Sequence, residues 1–88
     1  MANTINFSIR VVDEDGNPLE GISVWVADKA FFSSGNITEY TDEDGWTEFS
    51  FYNYLDSYID AKVCVDNNEM MDYFFNDGDT TSFTISGK

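Results

Sequence analysis

The amino-acid sequence predicts an all-β domain, a seven-stranded antiparallel β-sandwich occupying residues 1–88 as one unit. Three observations carry that expectation. Apolar residues recur at every second position in stretch after stretch, the period of a strand with one buried face. Clusters of Asp, Asn and Gly separate those stretches at regular intervals, as turns do. No stretch shows a convincing helical period. A small closed barrel is the competing architecture for the same strand count.

The elements follow in order. From Thr4 to Val12, Ile5, Phe7, Ile9 and Val11 share one face, and Thr4, Asn6, Ser8 and Arg10 the other. Asp13-Glu14-Asp15-Gly16-Asn17-Pro18 then turns the chain, with Gly16 free to take positive φ and Pro18 unable to continue a ladder. Strand two, Gly21 to Ala27, points Ile22, Val24 and Val26 inward and Ser23, Trp25 and Ala27 outward. Residues 29–36, including Phe31 and Phe32, read as irregular. Ile37 to Thr41 is a short third strand, closed by Asp42-Glu43-Asp44-Gly45. Strand four offers Thr47, Phe49 and Phe51 to the core and leaves Trp46, Glu48 and Ser50 outside. Tyr52 to Ser57 reads as a packed loop around Tyr54 and Leu55. Strand five sends Ile59, Ala61, Val63 and Val65 inward and Asp60, Lys62 and Cys64 outward. Asp66-Asn67-Asn68 is the next turn. Met70 to Phe75 is strand six, Asn76-Asp77-Gly78-Asp79 a further turn, and Thr81, Phe83 and Ile85 mark strand seven.

Composition limits the functions open to such a domain. Seventeen acidic residues face four basic ones, a net charge of −13, and they are spread along the whole chain. Phosphate backbones and anionic lipid surfaces repel such a molecule, so nucleic-acid binding is not expected. The acids serve solubility and the protection of strand edges, with cation binding, a basic protein partner or a salt-rich setting as sharper readings. The lone Cys64 cannot form an internal disulfide. No secretory signal is visible at the N-terminus, and no apolar run is long enough to insert in a membrane.

Catalytic chemistry finds little to use. With no histidine in the sequence, Ser-His-Asp and Cys-His sites and histidine-ligated metals are excluded, and the chain reads as a non-enzyme. Asp13, Asp15 and Asn17, with Asp42 and Asp44, alternate oxygen ligands as calcium loops do. Such residues are also the ordinary occupants of turns, where they hydrogen-bond their own backbone. Calcium is therefore the one cofactor entertained. Trp25 and Trp46 fall on the outward phase of their strands, and Tyr40 shares it. Outward aromatics anchor protein interfaces or stack on sugar rings, unless a loop or a neighbouring subunit covers them.

The run D-x-D-G-N-P-L-x-G-x-x-V-x-V, followed by T-D-x-D-G and an alternating aromatic strand, resembles the transthyretin-like superfamily. More narrowly, it resembles carboxypeptidase-regulatory-like and Cna-B-type domains. The residues concerned are Asp13, Asp15, Gly16, Pro18, Leu19, Gly21, Val24 and Val26, then Thr41, Asp42, Asp44, Gly45, Phe49 and Phe51. The likeness implies an Ig-like, transthyretin-like sandwich and is nearly silent on function, because such domains serve as spacers, adhesin stalks, assembly modules and enzyme appendages. The Lys–Asn crosslink of some Cna-B-type domains is not expected, because strand one offers Arg10 where a lysine is needed. Two functions follow as expectations. One is a structural or decorating component of a larger assembly, such as a virion surface or tail, bound to protein partners. The other is a carbohydrate-binding or adhesion module cut from a cell-surface protein and stabilised by calcium. Both place the chain on a virion or an extracellular surface.

Overall fold

The computed structural model describes residues 3–29, 35–53, 58–68 and 70–86. They form seven strands: β1 (Asn3–Val12), β2 (Ser23–Asp28), β3 (Asn36–Tyr40), β4 (Trp46–Asn53), β5 (Tyr58–Val65), β6 (Met71–Asn76) and β7 (Asp79–Thr84). Each overlaps an expected strand. The irregular reading of Phe31 and Phe32 and the packed loop around Tyr54 and Leu55 lie outside the described residues; Tyr52 itself belongs to β4.

The strands make two packed sheets rather than one closed barrel, ordered β4-β1-β7 and β3-β2-β5-β6. The side chains expected inward on β1 and β5 are buried: Ile5, Phe7, Ile9 and Val11 on β1, and Ile59, Ala61, Val63 and Val65 on β5. Pairing matches apolar residues laterally as well, with Phe7 opposite Phe49 and Val26 opposite Val63. At the centre the Phe7 and Phe75 rings stack with centroids 3.9 Å apart. Burial of these side chains is the main favourable term holding the two sheets together.

Two expectations need correction. The sandwich is not wholly antiparallel, because β1 pairs with β7 in parallel, Phe7 opposite Asp79 through Val12 opposite Thr84. Alternation tells a strand which face to bury and carries no information about the direction of its neighbour. Ala27, expected outward, is fully buried. On the outer face it lies between Trp25 and Lys29 along the chain and opposite Lys62 on β5, all far longer than a methyl group.

The two acidic turns are one device used twice. Asp13 Oδ1 accepts the N–H groups of Asp15 and Asn17, each at 2.9 Å, and its carbonyl accepts that of Gly16. Asp42 Oδ1 likewise accepts the N–H groups of Asp44 at 2.9 Å and Trp46 at 3.0 Å, and its carbonyl that of Gly45. The glycines sit at φ 85° and 81°. Both turns lie at one end of the sandwich and touch, for Val11 donates to the Gly45 carbonyl at 2.8 Å while its own carbonyl accepts Leu19 N–H at 3.0 Å. Thr41 fastens the same corner. Its buried hydroxyl accepts Ile22 N–H at 2.9 Å and donates to the Leu19 carbonyl.

Candidate functional site

The faces and the ends of the molecule differ in charge, and that difference locates the candidate site. Asp13, Glu14, Asp15, Glu20, Asp42, Glu43, Asp44, Asp66 and Asp77 all lie in the segments between strands. On the outer face of the four-stranded sheet, by contrast, Asp60 and Asp72 are matched by Lys29 and Lys62. Lys29 Nζ lies 3.1 Å from Asp60 and 2.8 Å from Asp72, and Lys62 Nζ lies 2.7 Å from Asp72. Asp60 Oδ1 is itself buried, and the Lys29 ammonium is what compensates it. Lys29, and then Lys62, hold the Asp72 carboxyl at about 2, well below its ordinary value. Asp72, followed by Asp60, raises that of Lys29. These are solvent-exposed pairs, so their effect is to order and neutralise the face more than to stabilise the fold.

Several exposed apolar side chains lie on this balanced face, while Tyr52, 70% exposed, stands on β4 in the other sheet. Tyr40 is 67% exposed, Phe74 61% and Met70 53%, and Tyr58 is also exposed. Phe74 and Tyr58 are in ring contact, with centroids 5.9 Å apart. Tyr40 stands opposite Ser23, and Trp25 follows two residues along β2 on the same face. Together with Ser23, Thr38, Cys64, Asn67 and Met70 they line a shallow depression of about 300 Å³. The Cys64 thiol donates to the Asn68 carbonyl at 2.9 Å.

Trp46 does not join them. It belongs to β4 in the other sheet, so its outward face is the opposite side of the molecule, and the Arg10 guanidinium covers it at 5.6 Å from the ring centroid. Arg10 Nε also donates to the Asp44 carbonyl at 3.1 Å. Both tryptophans are half-buried. Of the three outward aromatics, Trp25 and Tyr40 therefore share a face and Trp46 lies on the other. Outward phase places an aromatic on a face without saying which of two sheets owns it.

For Asp13, Asp15, Asn17, Asp42 and Asp44 the geometry favours backbone capping. The leading carboxylate of each turn already accepts two N–H groups, and the N–H of Asn17 in particular lowers the pKa of Asp13. Among the described residues no three acidic or cysteine side chains are placed to share a metal ion. A second, larger depression of about 620 Å³ crosses β7, β1 and β4, where Asn6, Ser8, Glu48, Ser50 and Thr80 line it, and reaches Ile37 and Glu39 on β3.

Phe74, Tyr58 and Met70 were not singled out by sequence reasoning. In the run Met70-Met71-Asp72-Tyr73-Phe74-Phe75, Asp72 marks the outer phase, but Met70 and Phe74 share that phase, and apolar residues read as core formers rather than as a surface cluster. Among the described residues no helix is long and apolar enough to cross a membrane. Comparison with family models and with curated proteins found no match.

Proposed function

We propose that the chain is a non-catalytic β-sandwich module of the transthyretin-like kind, acting as a decorating or assembly component of a larger protein complex such as a virion surface or tail. The observation that carries this reading is the collection of Tyr40, Tyr58, Phe74 and Met70 on a charge-balanced sheet face of a molecule whose net charge is −13. A face without net charge can be desolvated against a partner at lower cost than the acidic ends, and aromatic and methionine side chains supply the contact area. The transthyretin-like assignment draws support from the motif residues themselves, since Asp13, Gly16, Asp42 and Gly45 build two matching turns at one corner of a two-sheet sandwich. The lack of any histidine supports the non-catalytic part. Sedimentation of the source material with detection of the chain across the fractions tests the reading. It should travel with large particles, and recovery as a free monomer would overturn the proposal.

A second reading is a carbohydrate-binding or adhesion module of a cell-surface protein. The depression beside Trp25 and Tyr40 favours it, because an aromatic flanked by Ser23, Thr38 and Asn67 offers both a stacking surface and hydrogen-bonding groups. A glycan array together with thermal melts in calcium separates the two. Sugar binding lost in Tyr40→Ser, with a melting temperature raised by calcium, would replace the first reading with the second.

A further inference from the structure

We propose that the free edge of β6 is a docking site for an extended, basic segment of a protein partner, which adds to the four-stranded sheet as a fifth strand. The inference rests on the assembly-module reading above and gives that module a particular edge and a particular partner chemistry.

The sheets leave four edges, β3, β4, β6 and β7. Sheet edges expose unpaired N–H and C=O groups, and proteins guard them with charge, proline, brevity or a cover. The edge strand β3 is short and carries Glu39, β4 carries Glu48, and β7 begins at Asp79 and continues through Thr80, Thr81 and Ser82. In β6 these devices fail. Met71–Asn76 contains no proline, lysine or arginine, and among the described residues no strand pairs with its side away from β5. Its one charged residue, Asp72, is drawn back over the sheet to Lys29 and Lys62. Phe74 stands 61% exposed on the strand, and Met70 is 53% exposed just before it. Alternate backbone groups of β6 are thus available to a ladder, with apolar side chains beside them to receive those of a guest.

Charge decides what the guest is. The turns at the two ends of β6 carry Asp66 and Asp77. A second copy pairing antiparallel through its own β6 would bring the Asp66 end of one against the Asp77 end of the other, between two chains of net charge −13. Like charges so placed oppose association, whereas a guest with an apolar middle and lysine or arginine at its ends is drawn to a chain of net charge −13.

The experiment uses the whole chain, labelled with nitrogen-15, and the capped peptide Lys-Lys-Val-Thr-Phe-Thr-Val-Lys-Lys at low salt. The expected result is binding with slowed amide exchange confined to β6, weakened by salt as exposed charge pairing requires. Substituting glutamate for every lysine of the peptide should abolish it. Phe74→Lys restores the usual guard at a solvent-exposed position, where the fold tolerates it, and should weaken binding by about tenfold or more, the effect of losing about 1.4 kcal/mol. Protection on β3, β4 or β7, equal binding of the glutamate peptide, unchanged binding by Phe74→Lys, or no binding at all overturns the proposal. So does protection of β6 through self-association without peptide. Sedimentation of the Phe74→Lys chain with source particles keeps the two readings apart. If it still travels with them, the module reading stands and the β6 edge falls.

Discussion

Gly45 and Gly16 occupy equivalent places in two matching turns, yet their replacement by alanine should have unequal consequences. Both have positive φ, so an L-side chain at either costs about 1–2 kcal/mol of backbone strain. At Gly16 a Cβ would meet nothing within 4 Å. At Gly45 it would lie 2.6 Å from the Val11 carbonyl oxygen, 3.2 Å from Pro18 Cβ and 3.3 Å from Leu19 N. Relief to an ordinary carbon–oxygen contact of about 3.3 Å demands a shift of about 0.7 Å. The atoms that must move are backbone. Val11 O holds Leu19 N–H and Val11 N–H holds Gly45 O, so two hydrogen bonds are strained, each worth about 1 kcal/mol net. Gly45→Ala should therefore lose about 3–4 kcal/mol and Gly16→Ala about 1–2, a large gap for a domain whose whole stability is of order 5 kcal/mol. Urea unfolding followed by tryptophan fluorescence and circular dichroism measures both. A cooperative transition kept by Gly16→Ala and lost by Gly45→Ala would agree with the reasoning. Equal midpoints at equal slopes would refute it, and would mean that the corner yields without strain.

Thr41→Val removes the hydroxyl shared by Ile22 and Leu19 and strands a buried N–H, so it should cost about 2–3 kcal/mol in denaturant unfolding, while Thr41→Ser costs under about 1 kcal/mol. Equal losses in the two variants would discount the hydroxyl. Phe75→Ala empties the position stacked on Phe7 and should cost about 3–5 kcal/mol, read as a lower urea midpoint; a loss under 1 kcal/mol would mean that the core collapses around the gap. Asp72 titrates at about 2 in the fold against 3.8 ordinarily, a depressed value, so its contribution is present above pH 3.8 and is lost as pH falls through about 2. Acid titration of stability should show the parent and Asp72→Asn differing above pH 4 and converging toward pH 2, and parallel curves would count against the Lys29–Asp72–Lys62 network.

Much of this molecule is legible in its sequence because a strand and a tight turn are local. Alternation at Ile5, Phe7, Ile9 and Val11 specifies which side chains leave water, whatever strand comes to lie alongside. Asp13 and Asp42 accept N–H groups two and four residues ahead, so the turns are contained within their own few residues. Seven strands, their buried faces and their turns follow from that. What the tertiary structure alone decided is who neighbours whom. The chain crosses between sheets, and so β1 meets β7 in parallel, Trp46 lands on the far side from Trp25, and Thr41 reaches Leu19 and Ile22. In β6, Asp72 and Asn76 mark the outer phase, yet Phe74 shares it, and the packing settled where that ring went. Phe75 was taken to stack on Phe7, and Phe74 was left at the surface, on an edge that the local pattern does not mark. A residue's preference for the interior is a property of its own side chain, but its partner is settled by the packing of the whole chain at once.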